Sequence, residues 1–125
     1  MYRKFTYYSY LQNKYGVDAP STMLKVEAEL MGIKYPLLPG WRERSKEWLN
    51  RALEPSEVES FLAGLIRKKH ATKAALTKFA NKPQQITDLQ HRLVSLQTGI
   101  DFILGREFNP VNRDDQRLIQ EELGG

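Results

Sequence analysis

The chain has 125 residues, of which 41% are hydrophobic and 27% are charged; it has no cysteine and a formal net charge of +4 at pH 7. These proportions are typical of one globular domain over 1–125 and unlike a disordered chain, and the lack of cysteine excludes disulfides, thiolate nucleophiles and cysteine-ligated metals. No stretch approaches the about 20 consecutive apolar residues of a membrane span, and the basic start has no apolar signal-peptide run after it. We therefore expect a soluble, cytoplasmic protein.

Residues 1–53 contain three predicted helices. Aromatic residues in 3–15 have helical spacing, although alternate residues in the same stretch also fit a strand. Further helices are predicted over 21–31 and about 41–53, and a glycine directly after each of the first two segments predicts where it ends. Two prolines and a glycine in 33–40 predict a loop before the third helix.

Residues 54–105 predict two long helices joined by a short turn. Ser56 and Glu59 have the S-x-x-E spacing of a capping box, which predicts the start of the first helix. The sequence Asn81-Lys82-Pro83 breaks the helical pattern about 25 residues later, and a second pattern follows it at once. A connection this short predicts antiparallel neighbours, a helical hairpin.

The second long helix carries an apolar seam with alternating spacings of three and four residues. Its members are Ile86, Leu89, Leu93, Leu96, Ile100 and Ile103. Gly99 lies between them, where a glycine costs about 1 kcal/mol relative to alanine. That cost predicts close approach of a neighbouring helix at Gly99.

The last segment, 106–125, predicts a short helix over about 113–123. Asn112 is the predicted N-cap, and Asp114 and Asp115 fall in the first turn, where the helix dipole favours negative charge. The whole pattern predicts an all-α fold: a five- to six-helix bundle with a long antiparallel hairpin in its C-terminal half.

The first two predicted helices have the spacing of a helix-turn-helix unit, whose second helix presents polar N-terminal side chains to the major groove of DNA. The candidate base contacts are Ser21, Thr22 and Lys25, and the candidate phosphate contacts are Arg3, Lys4 and Lys14. Glu27 and Glu29 on the same helix would repel phosphate, and the turn is longer than the usual one. An ordinary helix pair joined by a proline turn explains the same residues.

A basic run on the first long helix is a second candidate surface for polyanions. It consists of Arg67, Lys68, Lys69, His70, Lys73 and Lys78. At 100° per residue these side chains point around most of the helix, and charges without partners are too costly to bury. We expect the run either to project into water or to face a nucleic-acid backbone.

The apolar seam, together with Trp41 and Trp48, could instead dock a protein partner or a second copy of the chain. The positions that flank the seam hold almost none of the opposite charges that select coiled-coil partners. Packing of the seam inside its own bundle is the simpler interpretation.

Catalytic and metal-binding patterns are missing from the sequence. The two histidines are far apart, and there is no H-x-x-x-H pair, no E-x-x-H pair and no phosphate-binding G-x-x-x-x-G-K-[ST] loop. We expect no catalytic residue, metal or cofactor. The leading hypothesis is a small non-catalytic nucleic-acid-associated protein with a regulatory or accessory role, and the alternative is a helical protein–protein interaction adaptor or assembly subunit.

Overall fold

The computed structural model describes residues 5–16, 23–105 and 113–124, and its elements are helices, which confirms the all-α class. In chain order these are α1 (Tyr7–Tyr15), α2 (Lys25–Met31), α3 (Trp41–Arg44), α4 (Lys46–Asn50), α5 (Pro55–Lys78), α6 (Pro83–Leu104) and α7 (Arg113–Gly124). The described residues thus contain one helix more than the largest predicted number.

The aromatic N-terminal segment is helical rather than extended, which settles the choice that its spacing left open. The Thr6 side chain begins α1 by accepting a hydrogen bond from the Ser9 backbone N–H at 3.0 Å. Phe5 lies just before the helix and forms an isolated antiparallel bridge with Leu53, whose N–H donates to the Phe5 carbonyl at 2.8 Å. The start of the chain is thereby tied to the residues that precede α5.

The second helix begins later than predicted. Leu24 has the extended backbone angles φ −68° and ψ 150°, and α2 starts at Lys25. The Glu27 carboxylate accepts a hydrogen bond from the Leu24 N–H at 2.8 Å, so a glutamate in the first turn caps this helix. Gly32 ends it with φ 78°, the left-handed conformation that favours glycine. A start near Ser21 is therefore wrong, and the helix has seven residues.

The single helix predicted over 41–53 is also wrong, because Ser45 separates α3 from α4 with φ −101° and ψ 3°. Trp41 of α3 and Leu49 of α4 are both buried. The indole N–H of Trp48 donates to the Met31 carbonyl at 2.7 Å and so joins α4 to the end of α2. A local break that satisfies tertiary contacts is not visible in a hydrophobic pattern.

The predicted helical hairpin is confirmed, because α5 and α6 make the most extensive helix–helix contact among the described residues. The cap of α5 differs from the prediction: the Glu57 carboxylate accepts from the Glu54 N–H at 3.2 Å, whereas Glu59 is buried. The capping pattern is therefore two residues earlier than Ser56 and Glu59.

The hydrophobic core includes the part of this hairpin farthest from its turn. We call this part, residues 55–66 and 96–104, the inner hairpin. Its fully buried members include Leu62, Leu65, Ile66, Leu96, Ile100 and Ile103. A Cβ atom on Gly99 would lie 2.1 Å from the Tyr10 hydroxyl oxygen, which confirms the predicted close approach and identifies α1 as the neighbour. The remaining part, residues 67–95, is the outer hairpin.

Candidate nucleic-acid interface

Helix α7 packs on α5 and divides the predicted basic run. The Lys69 ammonium donates to both oxygens of Glu122 at 2.7 and 2.8 Å, and these two side chains are only 11% and 9% exposed. The Arg67 guanidinium donates to Asp115 at 2.8 Å but stays 56% exposed. Lys69 is thus engaged within the protein, contrary to its predicted role, whereas Arg67 shares its charge with Asp115.

The other lysines of the run, Lys68, Lys73 and Lys78, are exposed as predicted for a surface that faces water or a polyanion. Two further exposed cations, Lys82 and Arg92, belong to the outer hairpin because α6 folds back along α5. Asp88 is the one acidic residue in 67–95. The outer hairpin therefore presents five exposed cations besides Arg67, against one carboxylate.

Three of the exposed cations come from different helices and line one cleft. Lys25 of α2, Lys68 of α5 and Arg92 of α6 surround a cavity of about 450 Å³, together with Tyr35 from the loop and Glu29. The Lys25 ammonium lies 4.0 Å from the Glu29 carboxylate, and both side chains are mostly exposed. An exposed ion pair of this kind contributes about 0–1 kcal/mol to stability, so Lys25 can leave Glu29 and bind another anion. With three cations and one carboxylate, the cleft has a formal net charge of +2.

Lys14 lies in the opposite environment, and its prediction as a phosphate contact is wrong. Its side chain is 4% exposed, and its ammonium donates to the Glu27 carboxylate at 2.6 Å. The hydroxyls of Tyr10 and Tyr15 donate to the same carboxylate at 2.5 and 2.6 Å. We call Glu27, Tyr10, Lys14 and Tyr15 the Glu27 cluster. Glu27 is fully buried, so it does not face a phosphate as the sequence suggested.

Titration in the Glu27 cluster follows from burial and from the charge of Glu27. Burial, reinforced by the Glu27 carboxylate, raises the pKa of Tyr10 and of Tyr15 well above the ordinary value of 10.0. Burial lowers the pKa of the Lys14 ammonium, and the neighbouring Glu27 opposes that shift. Both tyrosines therefore remain protonated donors to the carboxylate, which is what a buried negative charge requires.

The remaining candidates for the helix-turn-helix interpretation, Arg3, Lys4, Ser21 and Thr22, lie outside the described residues. Lys25 is the candidate base contact that the structure describes, and its side chain is exposed in the cleft. It is on a helix that begins at that residue, so the polar residues predicted in its first turn precede the helix.

The predicted partner-docking residues divide into two groups. Leu96, Ile100 and Ile103 are fully buried in the inner hairpin and Trp41 is 8% exposed, so their prediction as docking residues is wrong. Ile86, Leu89 and Leu93 are half-buried along the outer hairpin. Trp48 is 43% exposed, although its indole N–H is bonded to Met31. An exposed apolar side chain that sequence analysis missed is Val94, which is 67% exposed because it lies beside the seam rather than in it.

Across 5–16, 23–105 and 113–124, no group of three or more His, Asp or Glu side chains is placed to hold a metal ion. Over the same described parts of the chain, every helix is too short or too polar to traverse a bilayer. His91 is exposed on α6.

Comparison of the chain with models of protein families, with curated proteins and with solved structures gives no match. A function for the chain therefore has to be inferred from the residues of the cleft and the outer hairpin.

Proposed function

We propose that this chain is a small, non-catalytic, cytoplasmic nucleic-acid-associated protein with a regulatory or accessory role, and that it binds the phosphate backbone through the outer hairpin and the adjoining cleft. The observation that carries the proposal is the convergence of Lys25, Lys68 and Arg92, which are far apart in the sequence, around one cavity. Convergent cations of this kind raise the local concentration of a polyanion and hold its phosphates.

The extent of the cations favours a polymer over a small anion. From Lys68 in the cleft to Lys78 near the tip, ten residues of helix cover about 15 Å at 1.5 Å per residue. At the tip, the ammonium groups of Lys78 and Lys82 lie 5.6 and 5.7 Å from the centre of the Phe79 ring. A single phosphate would use only one end of this surface, whereas a chain of phosphates can follow it from the cleft to the tip.

The strength of such binding should depend steeply on salt, because each neutralised phosphate releases condensed counterions. If the five exposed cations of the outer hairpin each neutralise one phosphate, the logarithmic salt slope on a single strand is about −3.5. Between 50 and 200 mM salt the affinity would then fall about 100-fold.

Fluorescence anisotropy with labelled single-stranded and duplex oligonucleotides tests the proposal. We expect the double substitution Lys68→Glu with Arg92→Glu to weaken binding at least tenfold at 50 mM salt and to flatten the salt slope. Lys34→Glu with Lys46→Glu is the matched control, because both lysines are exposed outside the cleft and the net charge changes by the same amount. Equal losses in the two variants, or binding by the unaltered protein that salt does not weaken, would contradict the proposal.

A second candidate function, a helical adaptor or assembly subunit, has support in the exposure of Val94, which follows the half-buried Leu93 on α6. Two copies joined along this face would bring their basic outer hairpins together, and like charges oppose that arrangement. We therefore expect a monomer in light scattering at physiological salt. A stable dimer with no affinity for nucleic acid would replace the first proposal with the second.

A further inference from the structure

The cleft contains an aromatic side chain that backbone binding alone does not explain. Tyr35 comes from the loop between α2 and α3, is 44% exposed and lines the same cavity as Lys68 and Arg92. The ring contacts among the described residues join other aromatic side chains, none of them Tyr35. A large ring is thus presented beside two cations in a concave site.

Proteins that bind single strands combine these two components, because every base has a face that stacks on an aromatic ring and every phosphate attracts a cation. The cavity of about 450 Å³ is within the range of small-ligand sites, about 300–1,000 Å³. It therefore has room for one nucleotide. In a duplex the bases are stacked on each other, and one reaches a pocket only after it has been extruded at a cost.

Resting on the proposed function, we infer that the cleft holds one unpaired nucleotide of a single-stranded nucleic acid, with its base against the Tyr35 ring and its phosphate between Lys68 and Arg92. The placement of the remaining cations agrees with a flexible ligand. Lys73 points about 140° around α5 from Lys68, and Lys78 points about 80° from Lys68. These three lysines do not lie along one straight line, so a straight duplex can contact only part of the set.

The first experiment measures anisotropy with two probes: a 12-nucleotide thymidine single strand and a 12-base-pair duplex. We expect Tyr35→Ala to weaken single-strand binding by about fivefold to 150-fold, the range for loss of one stacked base, and to change duplex binding less than twofold. Tyr35→Phe retains the ring and should bind as the unaltered protein does. Leu38→Ala is the control for the loop, because Leu38 is exposed in the same loop but lines another cavity.

The second experiment is photocrosslinking of the unaltered protein to a strand that carries 5-iodouridine, followed by mass spectrometry of the crosslinked peptide. It needs no substitution, so it remains informative if Tyr35→Ala fails to fold. We expect the crosslink in the peptide that contains Tyr35. A crosslink found only in other peptides would overturn the inference.

The outcomes separate this inference from the proposed function. Equal weakening of both probes by Tyr35→Ala, or no weakening of either, overturns the unpaired-nucleotide site and leaves salt-dependent backbone binding intact. If neither probe binds the unaltered protein, the proposed function fails and the inference fails with it.

Discussion

Lysine is used in opposite ways in the Glu27 cluster and in the outer hairpin. Lys14 is nearly inaccessible and bonded to a buried carboxylate, whereas Lys68 is exposed and shares a cleft with Arg92. The neighbouring helix decides the difference, because α2 brings Glu27 to Lys14 and α6 brings a second cation near Lys68. A lysine that stabilises the fold and a lysine that can bind a ligand are therefore distinguished by their partners and not by their position in a basic sequence.

Lys69 shows that both uses occur on one helix. It follows Lys68 directly, yet it faces α7 and is paired with Glu122. Neighbouring residues on a helix point about 100° apart, so one can be engaged in the fold while the next faces solvent. Substitutions that exchange these roles are the most direct tests of the comparison.

The largest effect is expected from Glu27→Ala. The substitution leaves the Lys14 ammonium and two tyrosine hydroxyls buried without their acceptor, and breaking a buried pair in this way costs about 3–5 kcal/mol. Urea unfolding measures the loss. The control is Glu29→Ala on the same helix, where the carboxylate is 61% exposed and the change should stay within about 0.5 kcal/mol. Similar losses for the two variants would show that Glu27 is not the centre of a buried cluster.

An intermediate effect is expected at alkaline pH. The pKa of Tyr10 and of Tyr15 is raised in the folded state, so above pH 10 the unfolded chain releases protons that the folded protein retains. Stability from this source is complete below pH 10 and is lost as the pH rises. Burial lowers the pKa of the Lys14 ammonium from 10.5. The contribution of Lys14 to stability therefore increases as the pH rises towards 10.5, in the opposite direction to that of the tyrosines. Between about pH 10.5 and 11.5 the two tyrosines dominate the pH dependence, and we expect the free energy of unfolding to fall by about 2 kcal/mol. This figure allows for solvent screening of part of the pKa shift at half-buried Tyr15.

Urea unfolding at several pH values from 8 to 11.5 measures this slope. Tyr15→Phe removes one of the two titrating groups and should make the slope shallower, whereas Tyr35→Phe, at an exposed position, should leave it unchanged. A slope that is the same in all three proteins would rule out the Glu27 cluster as its source.

The smallest effect is expected from Glu122→Gln, which removes the negative partner of Lys69. The released ammonium adds one cation to the outer hairpin, so single-strand affinity at 50 mM salt should rise about two- to fivefold and the salt slope should steepen by about 0.7. Glu121→Gln changes the net charge equally at a 58% exposed neighbour paired with Arg117. If both variants gain affinity equally, net charge and not the release of Lys69 is the cause.

The parts of the fold that local chemistry determines were predictable from the sequence. The all-α class, the long hairpin, the loop at 33–40 and the close approach at Gly99 follow from periodicity, proline and the cost of glycine in a helix. The late start of α2 and the break at Ser45 were not predictable, because Glu27 and Trp48 in these two regions make hydrogen bonds with residues distant in the sequence, and a local pattern does not show such contacts.

The candidate interface was predictable only in part. The sequence identified Lys25 and Lys68, but it missed Arg92 and Tyr35, which join them only when α6 and the loop fold back. It also assigned Lys14 and Lys69 to ligand binding because a basic pattern carries no information about which carboxylate will lie opposite. The segment 106–125 contains more acidic than basic residues, which is opposite in sign to the basic run on α5. This excess of negative charge was the signal in the sequence that could have indicated the pairing of Lys69 with α7.

The core on α6 begins at Leu96, three residues before Gly99, where Tyr10 of α1 lies against the helix. Towards the tip, residues 80–92 are exposed except for the half-buried Ile86 and Leu89. Removing seven residues from each helix near the tip would keep the seam in register and shorten the protrusion by about 10 Å. The length of the outer hairpin and the stability of the core in the inner hairpin are therefore independent of each other. The hairpin could become longer or shorter without a change in the core.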